Sequence, residues 1–131
     1  MAYGRAVAGW MERRFGWRAD AEQLVTSSGI VAALHQCVAL LTEPGDGVLM
    51  FTPTYAPFHM AAARQGRRSV FCRLLRGADG RFCIDFDALE RLAAAPENRL
   101  LLLCSPHNPT GRVWTEQELR RVGEICLANG V

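Results

Sequence analysis

The sequence predicts an α/β fold, a mostly parallel sheet flanked by helices, and three observations carry that expectation. Strand-like and helix-like segments alternate along the whole chain. Leu100–Cys104 is a continuous apolar run, the pattern of a strand covered on both faces. The connections are short turns such as Pro44-Gly45-Asp46-Gly47 and Gly77-Ala78-Asp79-Gly80. At 131 residues, 50% hydrophobic and 21% charged, the chain has the length and mix of one average globular domain. That balance excludes a disordered, collagen-like or disulfide-miniprotein class.

In chain order, Arg5–Phe15 reads as a helix, with Val7, Trp10, Met11 and Arg14 at helical spacing and Gly16 as its stop. Gln23–Thr26 is a short strand candidate. Ser27-Ser28-Gly29 then opens a helix from Ile30 to Leu41. That helix is apolar on nearly every face and is expected to be buried all round. Val48–Phe51 is a short apolar strand, ended by Pro53, and a helix from about Ala56 to Gln65 follows. Ser69–Leu75 is the next strand, and Phe82–Ile84 is a brief extended piece. Asp85 is an N-cap for a helix running to Ala95. After the Leu100–Cys104 strand and a proline-stiffened loop, Thr115-Glu116-Gln117-Glu118 forms a capping box. The helix behind it places Leu119, Val122 and Cys126 on one face. Asn129-Gly130 ends that helix where the pattern calls for a further strand, so the chain is expected to be part of a longer protein.

Charge and cysteine usage narrow the classes further. The net charge of +2 is too small to argue for a nucleic-acid or membrane partner. All fifteen basic residues are arginine, so no lysine amine is available within these residues. Five cysteines lie in apolar runs with no C-x-x-C, which predicts buried, reduced thiols and a cytoplasmic setting. The first fourteen residues carry no apolar signal segment, and no stretch is long enough to span a bilayer. The histidines and cysteines show no metal-ligand spacing. Arg64, Arg67, Arg68, Arg73, Arg76 and Arg81 form a local basic cluster with no interleaved aromatic platform, which reads as a solvated surface.

Three segments carry chemistry. Ser105-Pro106-His107-Asn108-Pro109-Thr110-Gly111-Arg112-Val113-Trp114 follows a buried strand, at the end where open α/β sheets bind ligands. Asn108, held between two prolines, offers an amide suited to a phenolic or carbonyl oxygen. The same residues also fit a turn that only starts the next helix. Ser28-Gly29-Ile30-Val31 stands at a helix N-terminus, where free amides and the helix dipole attract phosphate. A plain helix cap reads the same way. Thr52-Pro53-Thr54-Tyr55 puts a tyrosine just past an apolar strand, to stack on an aromatic ligand or to pack over a helix end. Together they describe a site for a phosphorylated aromatic ring.

The sequence resembles the large domain of fold-type-I pyridoxal-phosphate enzymes, the class I/II aminotransferase superfamily, and within it the cystathionine β-lyase-like C–S lyase branch. The residues that carry the likeness are Ala6–Trp10 with Arg13–Trp17, Thr42–Val48, Ile84-Asp85-Phe86 and the Ser105–Trp114 run. Asn-Pro-Thr-Gly is shared across the superfamily; His107 and Arg112-Val113-Trp114 point to the lyase branch. The resemblance implies that residues 1–131 are part of the pyridoxal 5'-phosphate-binding domain. It implies that Asn108 holds the cofactor's 3′ oxygen and that Tyr55 stacks on its ring. The backbone of Gly29, Ile30 and Val31, with the Ser28 hydroxyl, would hold the phosphate. No catalytic residue and no metal ligand is assigned. The family's Schiff-base lysine, the aspartate that pairs with the pyridine nitrogen and the arginine that grips the substrate carboxylate have no counterpart in these residues. The activity implied is α,β-elimination of an amino acid such as cystathionine to pyruvate, ammonia and a thiol, by a cytoplasmic homodimer. The alternatives are an aminotransferase, or a non-catalytic α/β module for a phosphorylated ligand or partner.

Overall fold

A computed structural model describes residues 2–131. The elements run α1 (Ala2–Phe15), α2 (Ile30–Leu41), β1 (Gly47–Thr52), α3 (Ala56–Ala63), β2 (Arg68–Arg73), β3 (Leu75–Arg76), β4 (Phe82–Cys83), α4 (Phe86–Ala93), β5 (Asn98–Leu102) and α5 (Glu116–Asn129). β1 lies between β2 and β5, parallel to both. β3 and β4 form a small antiparallel pair just beyond the end of β2.

The alternation of side chains along β1 organises the core. Val48 and Met50 point to one face and Leu49 and Phe51 to the other, and all four are buried. On the first face Val38 of α2 and Phe58, Ala61 and Ala62 of α3 close over Val48 and Met50. On the second, α4 and α5 bring Leu89, Ala93, Val122 and Ile125 onto Leu49 and Phe51. The result is a three-layer α/β/α sandwich, as the alternating segments predict.

Local signals set the helix ends. The Asp85 carboxylate accepts the Ala88 amide at 2.9 Å, so α4 begins where the N-cap predicts. Thr115 and Glu118 form the reciprocal capping box of α5. Gly130 closes α5 in the left-handed region at φ 73°, where a side chain would be strained.

Four expectations are corrected. Gln23–Thr26 is irregular: no strand among the described residues lies beside it, and a strand without a ladder partner does not form. α2 is not buried all round. Only Val38 is fully covered, while Leu40 is 83% exposed, because α3 and β5 meet one side of the helix and its other side meets solvent. β2 stops at Arg73, where Leu74 turns inward into the core and the chain restarts as β3. Of the five cysteines expected to be buried, only Cys72 is; Cys37 is exposed on the open side of α2, and Cys83, Cys104 and Cys126 are half-buried. Burial, with the Asp85 carboxylate, pushes the Cys72 thiol up to about 11 against the opposing pull of Arg91. No described helix is long and apolar enough to cross a membrane.

Candidate functional site

Sheet topology decides where the three chemistry-bearing segments lie. β1 and β5 are adjacent and parallel, so the loops that follow them leave from the same carboxyl edge. α2 runs into β1 through a short turn at the opposite, amino edge, so its first turn faces the carboxyl edge as well. Ser28–Val31, Tyr55 and Asn108 therefore share one end of the sheet, where ligands bind in open α/β folds.

Each residue has free bonding capacity there. Gly29 is the N-cap of α2 at φ 132°, a conformation that L side chains rarely adopt, and no atom lies within 4 Å of where a Cβ would stand. No side chain caps the helix. The amides of Ile30, Val31 and Ala32 therefore lack the intrahelical acceptors that later residues have, and they face solvent with the positive end of the helix dipole. Ser28 is exposed, Ile30 is 71% exposed, and the Ser27 hydroxyl donates to the Gly29 carbonyl. Tyr55 is half-buried at the start of α3, with its ring edge-on to Phe58 at 6.0 Å. Asn108 is exposed at the tip of the loop after β5. Among the described residues, no side chain or backbone group pairs with the hydrogen-bonding groups that Ser28, Ile30, Val31 and Asn108 present at this edge.

The loop that presents Asn108 is held by residues whose part the sequence does not display. The His107 amide donates to the Arg112 carbonyl and the Gly111 amide to the His107 carbonyl, both at 2.7 Å, which closes the loop on itself. The Thr110 hydroxyl accepts from the Arg112 amide and sits 3.0 Å from His107 Nδ1. Trp114 is buried beneath and donates its indole N–H to the Cys104 carbonyl at 2.9 Å. Its ring meets Phe51 and, edge-on, His107. Arg112 lies over the Trp114 ring, bonds the Phe82 carbonyl and pairs with Glu118 at 2.6 Å. The sequence signal for this clamp was an arginine followed six residues later by the glutamate of a capping box. Desolvation is the largest single influence on Glu118 and pushes its carboxyl up. The Thr115 amide and hydroxyl and the Arg112 guanidinium together outweigh it and hold the group below its ordinary value.

His107 is buried, and burial pushes its imidazole below the ordinary 6.5, against a smaller opposing pull from a hydrogen bond to the Phe51 backbone. The unfolded chain binds a proton near its ordinary value while the folded chain resists. Stability is thus fully present above about 6.5 and falls as the pH drops from there toward the depressed folded value. Urea unfolding across that window should show the loss, and His107→Gln should flatten it. A slope unchanged in the variant would remove His107 as its source.

The other histidines keep structural positions. His35 is half-buried with Gln65 Nε2 3.4 Å from its ring, and His59 bonds the Ser69 hydroxyl at 2.7 Å. No metal-binding cluster occurs among the described residues. The arginines that are neighbours in sequence separate in space. Arg67 turns in to Thr42, and Arg68 reaches Gly45 at the amino edge, whereas Arg73, Arg76 and Arg81 lie toward the carboxyl edge.

Residues 2–131 match the family model described as aminotransferase class I and II. The chain is 43% identical over 126 residues to cystathionine beta-lyase PatB of Bacillus subtilis (strain 168), covering 96% of this chain and 32% of that protein. It is 35% identical to protein MalY of Escherichia coli (strain K12), with the same coverage of each. Among solved structures it superimposes on cystalysin from Treponema denticola, which contains a pyridoxal 5'-phosphate cofactor. The TM-score is 0.94 at 41% identity, over 98% of this chain and 32% of that one. The PLP-bound C–S lyase from Staphylococcus hominis matches at a TM-score of 0.92 and 37% identity, over 98% and 33% of the two chains. The chain therefore spans about a third of the length of the relatives it matches. By the match of its family model over residues 2–131, it belongs to the aminotransferase class I and II family.

Proposed function

We propose that residues 1–131 are part of the cofactor-binding domain of a pyridoxal-phosphate-dependent C–S β-lyase, which with one water converts a cysteine-conjugate amino acid such as cystathionine to pyruvate, ammonia and a thiol. One observation carries this reading: an uncapped helix N-terminus, a half-buried tyrosine and an exposed asparagine amide gather at one sheet edge. Resemblance to lyases named for this reaction supports the choice over an aminotransferase.

The residues present fit the cofactor. The Gly29 approach is open to within 4 Å, and the free amides of Ile30 and Val31, with the Ser28 hydroxyl, suit a dianionic phosphate. Tyr55 offers a ring face for an aromatic plane. Asn108 offers an N–H donor to a ring oxygen, and the clamp of Arg112, His107 and Trp114 holds that donor in place before any ligand arrives. When bound, the group supplies an electron sink for the bond cleavage at the amino acid's α-carbon. Within these residues no lysine is present to move the α-proton, so that role falls to a residue outside them. The whole protein is proposed to work as a cytoplasmic homodimer on a small amino-acid substrate, with no nucleic-acid or membrane partner.

The test is to express the full-length protein from its own gene and incubate it with L-cystathionine. Pyruvate, ammonia and a free thiol should appear together, and Asn108→Ala should reduce cofactor retention by about tenfold or more through loss of a charge-assisted hydrogen bond. Conversion of the amino acid to its keto acid with no thiol would replace the lyase reading with the aminotransferase one. No reaction and no cofactor uptake would leave a phosphate-ligand module.

A further inference from the structure

We propose that the chain carries a second binding site, a trough lined by Arg73, Arg76 and Arg81 that takes a compact organic polyanion with two or more oxyanion groups. Two adjoining hollows, of about 480 and 410 Å³, share Arg76 and Phe82 in their walls. One hollow is bounded by Thr52 and Pro53 and the other by Thr110–Val113, so the trough runs beside the loops of the candidate cofactor edge without using Ser28–Val31, Tyr55 or Asn108.

Among the described residues, the charges of this trough are balanced unevenly. Arg112 is neutralised by Glu118 at 2.6 Å and fixed by the Phe82 carbonyl. Arg81 has Asp79 only at 4.0 Å, and both side chains are largely exposed. Among the described residues, the guanidinium groups of Arg73 and Arg76 meet no carboxylate. Guanidinium groups stay charged at any ordinary pH, so two unbalanced cations face one small concavity. Close like charges repel, and an anion bound between them relieves that repulsion while gaining bidentate hydrogen bonds.

The geometry also favours a ligand over a merely solvated cluster. Arg76 lies over the Phe82 ring at 5.3 Å, which restricts a side chain that would otherwise lose more freedom on binding. Gly80 and Gly111, at φ 78° and 72°, line the same hollow with no atom within 4 Å of either missing Cβ, so the backbone is open to a ligand at both. A compact anion fits better than an RNA strand. Arg67 and Arg68 are drawn off to Thr42 and Gly45, which breaks the basic surface, and the one aromatic ring in the trough is covered by Arg76.

The experiment is isothermal titration of the full-length protein with citrate at low salt. One citrate per chain should bind saturably, and added salt should weaken it. The double variant Arg73→Gln/Arg76→Gln should lose about tenfold or more in affinity. Arg64→Gln, at an exposed arginine beyond α3, should leave binding unchanged, and so should Asn108→Ala, which reports on the cofactor edge instead. Absence of saturable binding at millimolar citrate would overturn the proposal, as would equal affinity in the double variant. Tighter binding of a uridine oligonucleotide than of citrate, lost in the same double variant, would overturn it in favour of an RNA surface.

Discussion

Replacing Trp114 by alanine should destabilise the chain by about 3–5 kcal/mol, the range for deleting a buried large aromatic. Trp114 is 4% exposed and ties the loop after β5 to β1. It packs on Phe51 at the end of β1, meets His107 edge-on, lies under the Arg112 guanidinium, and bonds the Cys104 carbonyl beyond β5. Removing it opens a cavity and leaves the Cys104 carbonyl without its donor. Trp114→Phe retains most of the apolar contact and loses the hydrogen bond, so its cost should be about 1–2 kcal/mol. Urea denaturation of the two variants separates these contributions. Near-equal losses would mean that the hydrogen bond, not the ring volume, holds this loop. Because the same ring supports the segment that carries Asn108, Trp114→Ala should also loosen cofactor binding in the full-length protein while touching no cofactor atom itself.

Gly47→Ala should cost about 2–4 kcal/mol, combining overpacking with the disruption of a neighbouring hydrogen bond. A Cβ at Gly47 would stand 1.8 Å from Asn98 Oδ1 and 3.0 Å from Val70 Cγ2. Asn98 cannot swing away freely, since its side-chain amide donates to the Leu92 carbonyl at 2.8 Å and anchors the end of α4. Its Oδ1 is buried with no hydrogen-bond partner, so no compensating bond is available on that side. The prediction has an internal check. In an Asn98→Ala background the clash is removed, and Gly47→Ala should then cost less than about 1 kcal/mol. Additive losses in the double variant would show that Val70 or the strand backbone, not Asn98, is the obstacle.

The fold was largely legible because its signals are local. α2 occupies the predicted residues, and the caps at Asp85 and Thr115 start α4 and α5 where cap chemistry requires. The apolar runs of β1 and of Leu100–Leu102 mark a doubly covered sheet, although β5 begins at Asn98 and ends two residues before the expected Cys104. Gln23–Thr26 forms no strand, because a four-residue pattern states nothing about whether a partner strand lies alongside. α2 departs from its expected burial for a related reason. Composition reports how apolar a helix is, and only packing reports how many of its sides are met.

The candidate site divides in the same way. Asn108, Tyr55 and Gly29 were visible as residue types at strand ends and at a helix start, since glycine, asparagine and proline mark backbone positions that few other residues tolerate. The clamp behind Asn108 shows in the sequence only as Arg112 six residues before the capping-box Glu118, and its other contacts do not show at all. Arg112 reaches Phe82, thirty residues earlier, and Trp114 reaches Phe51 across the sheet. The separation of Arg67 and Arg68 from Arg73, Arg76 and Arg81 is also a consequence of folding, because β2 carries its two ends to opposite edges of the sheet. By itself, then, the sequence determined the α/β class, the helix ends and the residue types offered to a phosphorylated aromatic ligand, all of which depend on neighbours a few residues apart. The tertiary structure alone decided which faces are covered, which arginines are neutralised and what holds the asparagine loop. Those depend on contacts between distant segments, and only the packed sheet brings such segments within reach.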